Sequence, residues 1–422
     1  MLLIKNGTVY TGDKNPQKQD ILINDGKITQ ITETINEAPE MQIINAENLI
    51  VAPGLVDMHV HLRDPGFEHK EDIHTGALAA AAGGITTILC MPNTKPVIDT
   101  PETVEYIKNR AKTGQISILP CAAVTKGQNG KELTDFVTLK SAGAIAFSDD
   151  GNPIQNANLV RKAMLEAQKH DILIISHCED ADMVQNHGVN EGKISKKLGI
   201  SGRPAIAEEI MVARDVMLAA ERGAKVHIAH VSTAGSVEII RQAKKAGVRV
   251  TAETAPQYFT LTEDEILKQK ALARVNPPLR TKKDVEAIIE GLIDGTIDVI
   301  ATDHAPHLME EKTLPVPEAM SGMIGLETSL GLALTQLYHT GKLKLYEIIK
   351  LMSKKPAEIL GISAGKISKG AIADIVIFDT NKKWTVEPDK FKSKARNTPF
   401  GGMELQGKVK YTLSKGKIVY YD

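Results

Sequence analysis

Cysteine is scarce in this 422-residue chain: only Cys90, Cys121 and Cys178 occur, and no two form a Cys-x-x-Cys pair. A disulfide scaffold is therefore excluded, and the three thiols fit burial in a reducing compartment. An excess of either charge is also lacking, since 51 basic residues stand against 52 acidic ones. Without a long-range field the chain has no means of gathering nucleic acid or an anionic membrane surface, so the expected partner is a small molecule. No apolar run approaches the roughly 20 residues that a membrane helix needs. The start, MLLIKNGTVYTG, lacks the basic and long apolar regions of a signal peptide. The expected location is cytoplasmic. Repeats of solenoid type and low-complexity tracts are missing too.

What is present divides the chain in two. The length suits a barrel of roughly 250 to 300 residues with a smaller appended domain. Residues 1–51 consist of short β-type runs broken by Asn6-Gly7 and Asp25-Gly26, both read as hairpin signals. The pattern returns in 362–422, in ADIVIFDTNKKWTVEPD and VKYTLSKGKIVYYD. The two ends are expected to complete one small composite β-domain.

Between them, in 52–361, lie eight apolar runs suited to buried parallel strands: GLVDMHVH, GITTILCMPN, ISILPCAAVT, GAIAFSDD, DILIISHCED, KVHIAHVS, VRVTAETAP and IDVIATDHAP. Stretches of helical composition separate them, such as PETVEYIKNRAK and EEIMVARDVMLAAERG. Eight strands alternating with helices predict an α/β fold, a (β/α)8 TIM-type barrel. The runs tend to end in polar or ionisable groups, and in such a barrel the carboxyl ends of the strands converge on one catalytic mouth.

The first run ends His59-Val60-His61, and alternate strand residues point to one side, so both imidazoles can reach one ion. Asp150, His177, His230 and Asp303 stand at the ends of four other runs. Each alone reads most simply as a satisfied core histidine or a capping aspartate. The six together exceed one tetrahedral shell and predict two divalent ions, zinc being the first choice for imidazole and carboxylate ligands. Such a pair generates a hydroxide nucleophile and polarises a carbonyl, which predicts amide or ester hydrolysis or its reversal. Asp303 is the expected general acid/base.

Arg63, two residues beyond His61, would be repelled by two dications unless an anionic ligand lay between them, and its planar fork suits a carboxylate. Asn93, Asn276 and His307 could add hydrogen bonds. The ligand these residues describe is a small acid with amide groups. HLMEEKTLPVPEAMSG, which runs on from His307, has the mixed composition of either a lid or a plain loop.

VAPGLVDMHVHLRDPG, MPNT, FSDDG, ISHCED, HIAHVS, RVNPPLR and ATDHAPH resemble the amidohydrolase superfamily and, within it, the dihydroorotases. The resemblance spans about Ala52 to Leu360 and implies a split β-sandwich domain built from the chain ends. It implies a reversible, zinc-dependent cyclisation of N-carbamoyl-L-aspartate to (S)-dihydroorotate plus water, the third step of de novo pyrimidine synthesis, with a metal-bridging hydroxide as nucleophile. It implies that His59, His61 and Asp303 hold one zinc, that His177 and His230 hold the other, and that Asp150 bridges them. Asp149 is the alternative bridge. Arg63, Asn93 and His307 would bind the substrate carboxylate and Asn276 the ring amide, and His61 would also contact the substrate. Ser321 and Gly322 would contact the ring through their backbone, although Met320-Ser321-Gly322 departs from the Pro-Phe-Gly expected there. Similar enzymes are commonly homodimers. Hydantoinases and allantoinases share the barrel and the chemistry, but many relatives bridge their metals with a carboxylated lysine, and FSDDG contains none.

Overall fold

A computed structural model describes residues 1–11, 15–112, 114–184 and 188–422. The terminal segments form strands β1 (Leu2–Val9), β2 (Gln17–Asn24), β3 (Lys27–Thr32), β4 (Gln42–Asn45) and β5 (Ile50–Pro53). The central segment supplies β6 (Leu55–Val60), β7 (Ile85–Cys90), β8 (Ser117–Ala122), β9 (Ala146–Ser148), β10 (Leu173–Ser176), β11 (Lys225–Ile228), β12 (Val250–Thr254) and β13 (Val299–Ile300). The chain ends with β14 (Ile375–Thr385), β15 (Glu404–Ser414) and β16 (Lys417–Tyr421).

Strands β6 to β13 pair in sequence order as one parallel sheet of eight. Parallel pairing requires a crossover, and helices supply it, among them Pro101–Ala111, Ala157–Lys169, Ala205–Arg222 and Ala234–Lys245. Closure comes from a parallel bridge between Val60 and His304, reinforced by the His61 N–H donating to the His304 carbonyl at 2.9 Å. Asp57, buried in β6, accepts from the Thr302 N–H at 3.2 Å and ties the same seam. Each predicted barrel run contains its strand. Along β10 and β13, Leu173, Ile175, Val299 and Ala301 pack in one cluster, while Phe147, Ile174 and Ile228 join the larger core shared with the helices. This is the alternation expected of strands covered on both faces.

The chain ends build one mixed sheet of eight strands, ordered β16-β15-β14-β5-β1-β2-β3, with β4 also pairing with β1. A bridge from Lys27 to Ile372 brings separated parts of it together around a core that includes Ile4, Ile21, Ile28, Val51, Ile375 and Leu413. Asp25-Gly26 is the predicted hairpin, with φ of 49° and 76°. Asn6-Gly7 is not a turn: it is a register shift inside β1. A Cβ on Gly7 would lie 2.4 Å from Val51 Cγ2, so close strand approach explains the glycine. Among the described residues, no helix is long and apolar enough to cross a membrane.

Candidate active site

The ends of β6, β9, β10, β11 and β13 bring His61, Asp150, His177, His230 and Asp303 to one cleft of about 700 Å³, with His59 buried beneath it beside Asp150 and Asp303, and Arg63, Asn93, Asn276, His307, Ser321 and Gly322 also border it. Three of the non-glycine residues among these have left-handed backbone: Arg63 at φ 63°, His230 at 33° and Asp303 at 49°. Non-glycine residues hold such angles only where their surroundings over-determine them, as the barrel mouth does here.

Asp150 is the hub. Its Oδ1 lies 3.3 Å from His59 Nε2, 3.4 Å from His177 Nδ1 and 3.5 Å from His230 Nε2, and its Oδ2 is 3.5 Å from His61 Nε2. Asp303 Oδ1 lies 3.2 Å from His61 Nε2 and 3.7 Å from His59 Nε2. Asp149 points elsewhere, accepting from the Val124 and Thr125 N–H groups at 2.8 and 3.0 Å and from the Thr125 hydroxyl.

The donor set suits cations. His59, His61 and Asp150 offer ligand atoms within 4.8 Å of one another, and so do Asp150, His177 and His230. His59 Nε2 and Asp150 Oδ1 are buried without a hydrogen-bond partner, and His177 Nδ1 converges on His230 Nε2 at 2.7 Å. Donors facing one another at such distances are satisfied together by positive charge between them. The electrostatics agree. Burial disfavours a charged His59, yet Asp150 and Glu253 raise its affinity for a proton well above the ordinary range. Burial likewise opposes charge on Asp150, and His59, His177 and His230 pull it well below the usual carboxylate value.

A cationic wall faces this cluster. Arg63 donates through Nε to the Pro306 carbonyl at 3.2 Å, and its guanidinium comes within 3.3 Å of His307 Nε2. Burial lowers Arg63 to about 10, leaving it charged at neutral pH. Burial, with Arg63, Lys70 and Lys312 close by, drives His307 down to about 2 and keeps it neutral. Lys70 Nζ lies 3.3 Å from His307 Nδ1, so the ring accepts there and donates from Nε2 to the Ser321 carbonyl at 2.9 Å. Asn93 directs its Oδ1 to His61 Nδ1 at 2.9 Å. Asn276 accepts from Arg203 and donates to Glu179 Oε2 at 3.3 Å.

The segment after His307 is folded down. It carries a short helix, Met309–Lys312, whose buried Lys312 donates to the carbonyls of Arg274, Met320 and Gly322 at 2.9, 2.9 and 2.8 Å. The Gly322 N–H donates to Arg274 O at 3.0 Å, so both of its main-chain polar groups are engaged. Asn397, returning from the C-terminal part of the chain, accepts from the His307 N–H and donates to the carbonyls of Ala305 and Gly322, all at 3.1 Å.

A Dihydro-orotase-like family model matches residues 48–236, and an Amidohydrolase family model matches residues 151–420. The dihydroorotase of Acetivibrio thermocellus is 50% identical over 99% of this chain and 98% of its own. That of Clostridioides difficile is 49% identical over the whole of both chains. The chain belongs to the dihydroorotase family. Among solved structures, the L-hydantoinase from Arthrobacter aurescens superimposes with a TM-score of 0.91 at 28% identity, over 100% of this chain and 96% of that one. A D-hydantoinase gives 0.88 at 25% identity, over 100% and 95%. This member of the dihydroorotase family is accordingly a cyclic amide hydrolase.

Sequence reasoning missed several groups that shape this dihydroorotase-family site. Glu253 carried a legible signal, a carboxylate within a strand run predicted to be buried, because burying such a group demands a specific partner, and Glu179 stood beside His177 at a strand end. Arg203, Lys312 and Asn397 carried none, since Arg203 and Asn397 lie in loops, Lys312 ends a single helical turn, and all three find their partners only through the fold.

Proposed function

We propose that the chain catalyses the reversible, zinc-dependent cyclisation of N-carbamoyl-L-aspartate to (S)-dihydroorotate plus water, in the cytoplasm and as a homodimer. Full-length identity of about half to curated dihydroorotases supports the family's reaction. The observation that carries the substrate is charged Arg63 beside neutral His307, facing the imidazole–carboxylate cluster. An anionic substrate resolves the repulsion between that guanidinium and bound cations, whereas an uncharged hydantoin would not.

In this reading residues 52–361 are the catalytic unit and 1–51 with 362–422 the supporting one. His59, His61 and Asp303 would hold one zinc and His177 and His230 the other, with Asp150 available to both sets of ligands. When bound, the ions supply Lewis acidity and water acidified toward neutral pH. Asp303 takes the proton of the nucleophilic water and delivers it to the ring nitrogen as the amide opens. In the closing direction it removes the proton from the carbamoyl nitrogen. Arg63, Asn93 and His307 grip the substrate carboxylate, and Asn276 faces the ring amide. The Ser321–Gly322 segment, which lines the cleft, would bound the ring and limit its contact with water.

The test follows ultraviolet absorbance of dihydroorotate with zinc-loaded protein, using hydantoin and allantoin as parallel substrates and a chelated control. Chelator-sensitive turnover of dihydroorotate alone is the expected result. Turnover of only an uncharged ring would refute the assignment.

A further inference from the structure

Beneath the cluster, the barrel interior holds a hydrogen-bonded chain that no ligand role explains. His59 turns its Nδ1 away from Asp150 and toward Glu253 Oε1, at 2.5 Å. The second oxygen of Glu253 meets His227 Nε2 at 3.2 Å, and His227 Nδ1 meets Thr251 Oγ1 at 2.8 Å. His59 and His227 are fully buried and Glu253 is 1% exposed. An ionised carboxylate in that setting is strongly disfavoured unless both oxygens find donors. Two imidazole N–H groups are the donors present.

Because Glu253 accepts, the neutral ring of His59 carries its proton on Nδ1, and its Nε2 is the lone pair that a cation would take in place of a second proton. That Nε2 is the buried atom without a hydrogen-bond partner, 3.3 Å from Asp150 Oδ1. His227 donates from Nε2 for the same reason, and its Nδ1 accepts from the Thr251 hydroxyl. Glu253 and Thr251 both lie on β12 and His227 on β11, so neighbouring strands place the three groups at fixed register.

We propose that Glu253 is a positioning residue for the metal site: with His227 holding its second oxygen, it locks the tautomer and ring orientation of His59 and strengthens that ligand's hold on zinc. The inference rests on the metal-site reading above and adds a partner behind one of its ligands. Outer carboxylates of this kind typically contribute about 10- to 100-fold in metal affinity.

The experiment measures zinc affinity of the full-length protein by competition with a chromophoric chelator, together with the visible absorption spectrum of the cobalt-substituted protein. Glu253→Ala is expected to weaken zinc about 10- to 100-fold and to alter the cobalt spectrum. Glu253→Gln keeps the shape and loses the charge, and is expected to fall between Ala and the parent. His227→Gln is expected to weaken zinc by less than Glu253→Ala does. A folded Glu253→Ala variant with parental zinc affinity and cobalt spectrum would overturn the proposal. Should that variant not fold, an unchanged affinity in Glu253→Gln would do the same. His59→Ala separates the two readings. If it retains all its zinc, the metal-site reading itself fails; if it loses zinc while Glu253→Gln matches the parent, only the positioning role fails.

Discussion

Replacing Asn397 by leucine tests whether the C-terminal return segment braces the catalytic mouth. The side chain is fully buried and makes three hydrogen bonds, accepting from the His307 N–H and donating to Ala305 O and Gly322 O. Leucine has a similar size and offers no polar atom. Gly322 O keeps Lys312 as a partner at 2.8 Å, which leaves the His307 N–H and the Ala305 carbonyl as the groups that lose most. A buried polar group deprived of its partner costs about 1 to 3 kcal/mol, so two of them cost about 2 to 6 kcal/mol, partly offset by the added apolar burial. We expect a loss of about 3 kcal/mol in urea unfolding of the zinc-loaded protein. Because the lost bonds flank His307, a raised KM for N-carbamoyl-L-aspartate should accompany it. Asn397→Asp is a sharper control: it keeps an acceptor for the His307 N–H but turns a carboxylate toward two carbonyls, and should be at least as destabilising. A leucine variant within about 0.5 kcal/mol of the parent, the range of an ordinary surface substitution, with an unchanged KM would refute the bracing role.

Three other outcomes follow from the geometry. Glu327, which accepts from the Lys392 and Ser393 N–H groups, is raised to about 7 by burial. Its folded value exceeds its unfolded one, so its stabilising contribution is full below the unfolded value and is lost as pH rises through about 7. Glu327→Gln should therefore gain stability relative to the parent at pH about 8 compared with pH about 5, measured by urea unfolding; an equal difference at both would count against it. Arg63→Met should raise KM for N-carbamoyl-L-aspartate about 10- to 100-fold, the worth of a charge-assisted bidentate contact, with zinc content unchanged. An unchanged KM would remove Arg63 from the carboxylate site. Asp303→Ala should lower kcat by roughly a thousandfold while most zinc stays bound by the remaining ligands, and near-normal turnover would exclude it as the proton carrier.

The barrel was legible because each of its strands is a continuous apolar run ending in a polar residue, a pattern set by burial on both faces. The cluster was legible for the same reason: His59, Asp150, His177, His230 and Asp303 interrupt those runs where the barrel opens. Asn6-Gly7 misled because a hairpin turn and a close strand contact ask for the same small residue, and only the neighbouring Val51 distinguishes them. Asn93 was legible as a residue of the cleft, but its orientation was not: its carbonyl turns to His61 and leaves the amide NH2 as the end that could meet a carboxylate. Asn397 was invisible, since its partner His307 is 90 residues away and no local pattern marks either end of that bond.

That long bond also bears on how the protein is made. A nascent chain that has left the ribosome as far as Ile324 already carries every residue of the imidazole–carboxylate cluster. Its His307 loop still lacks Asn397, and the seam near Ile324 lacks the Asn397 carbonyl that accepts from it at 3.0 Å. The brace on the His307 loop is thus deferred until Asn397 has been made, and a shorter chain carries the cluster without it.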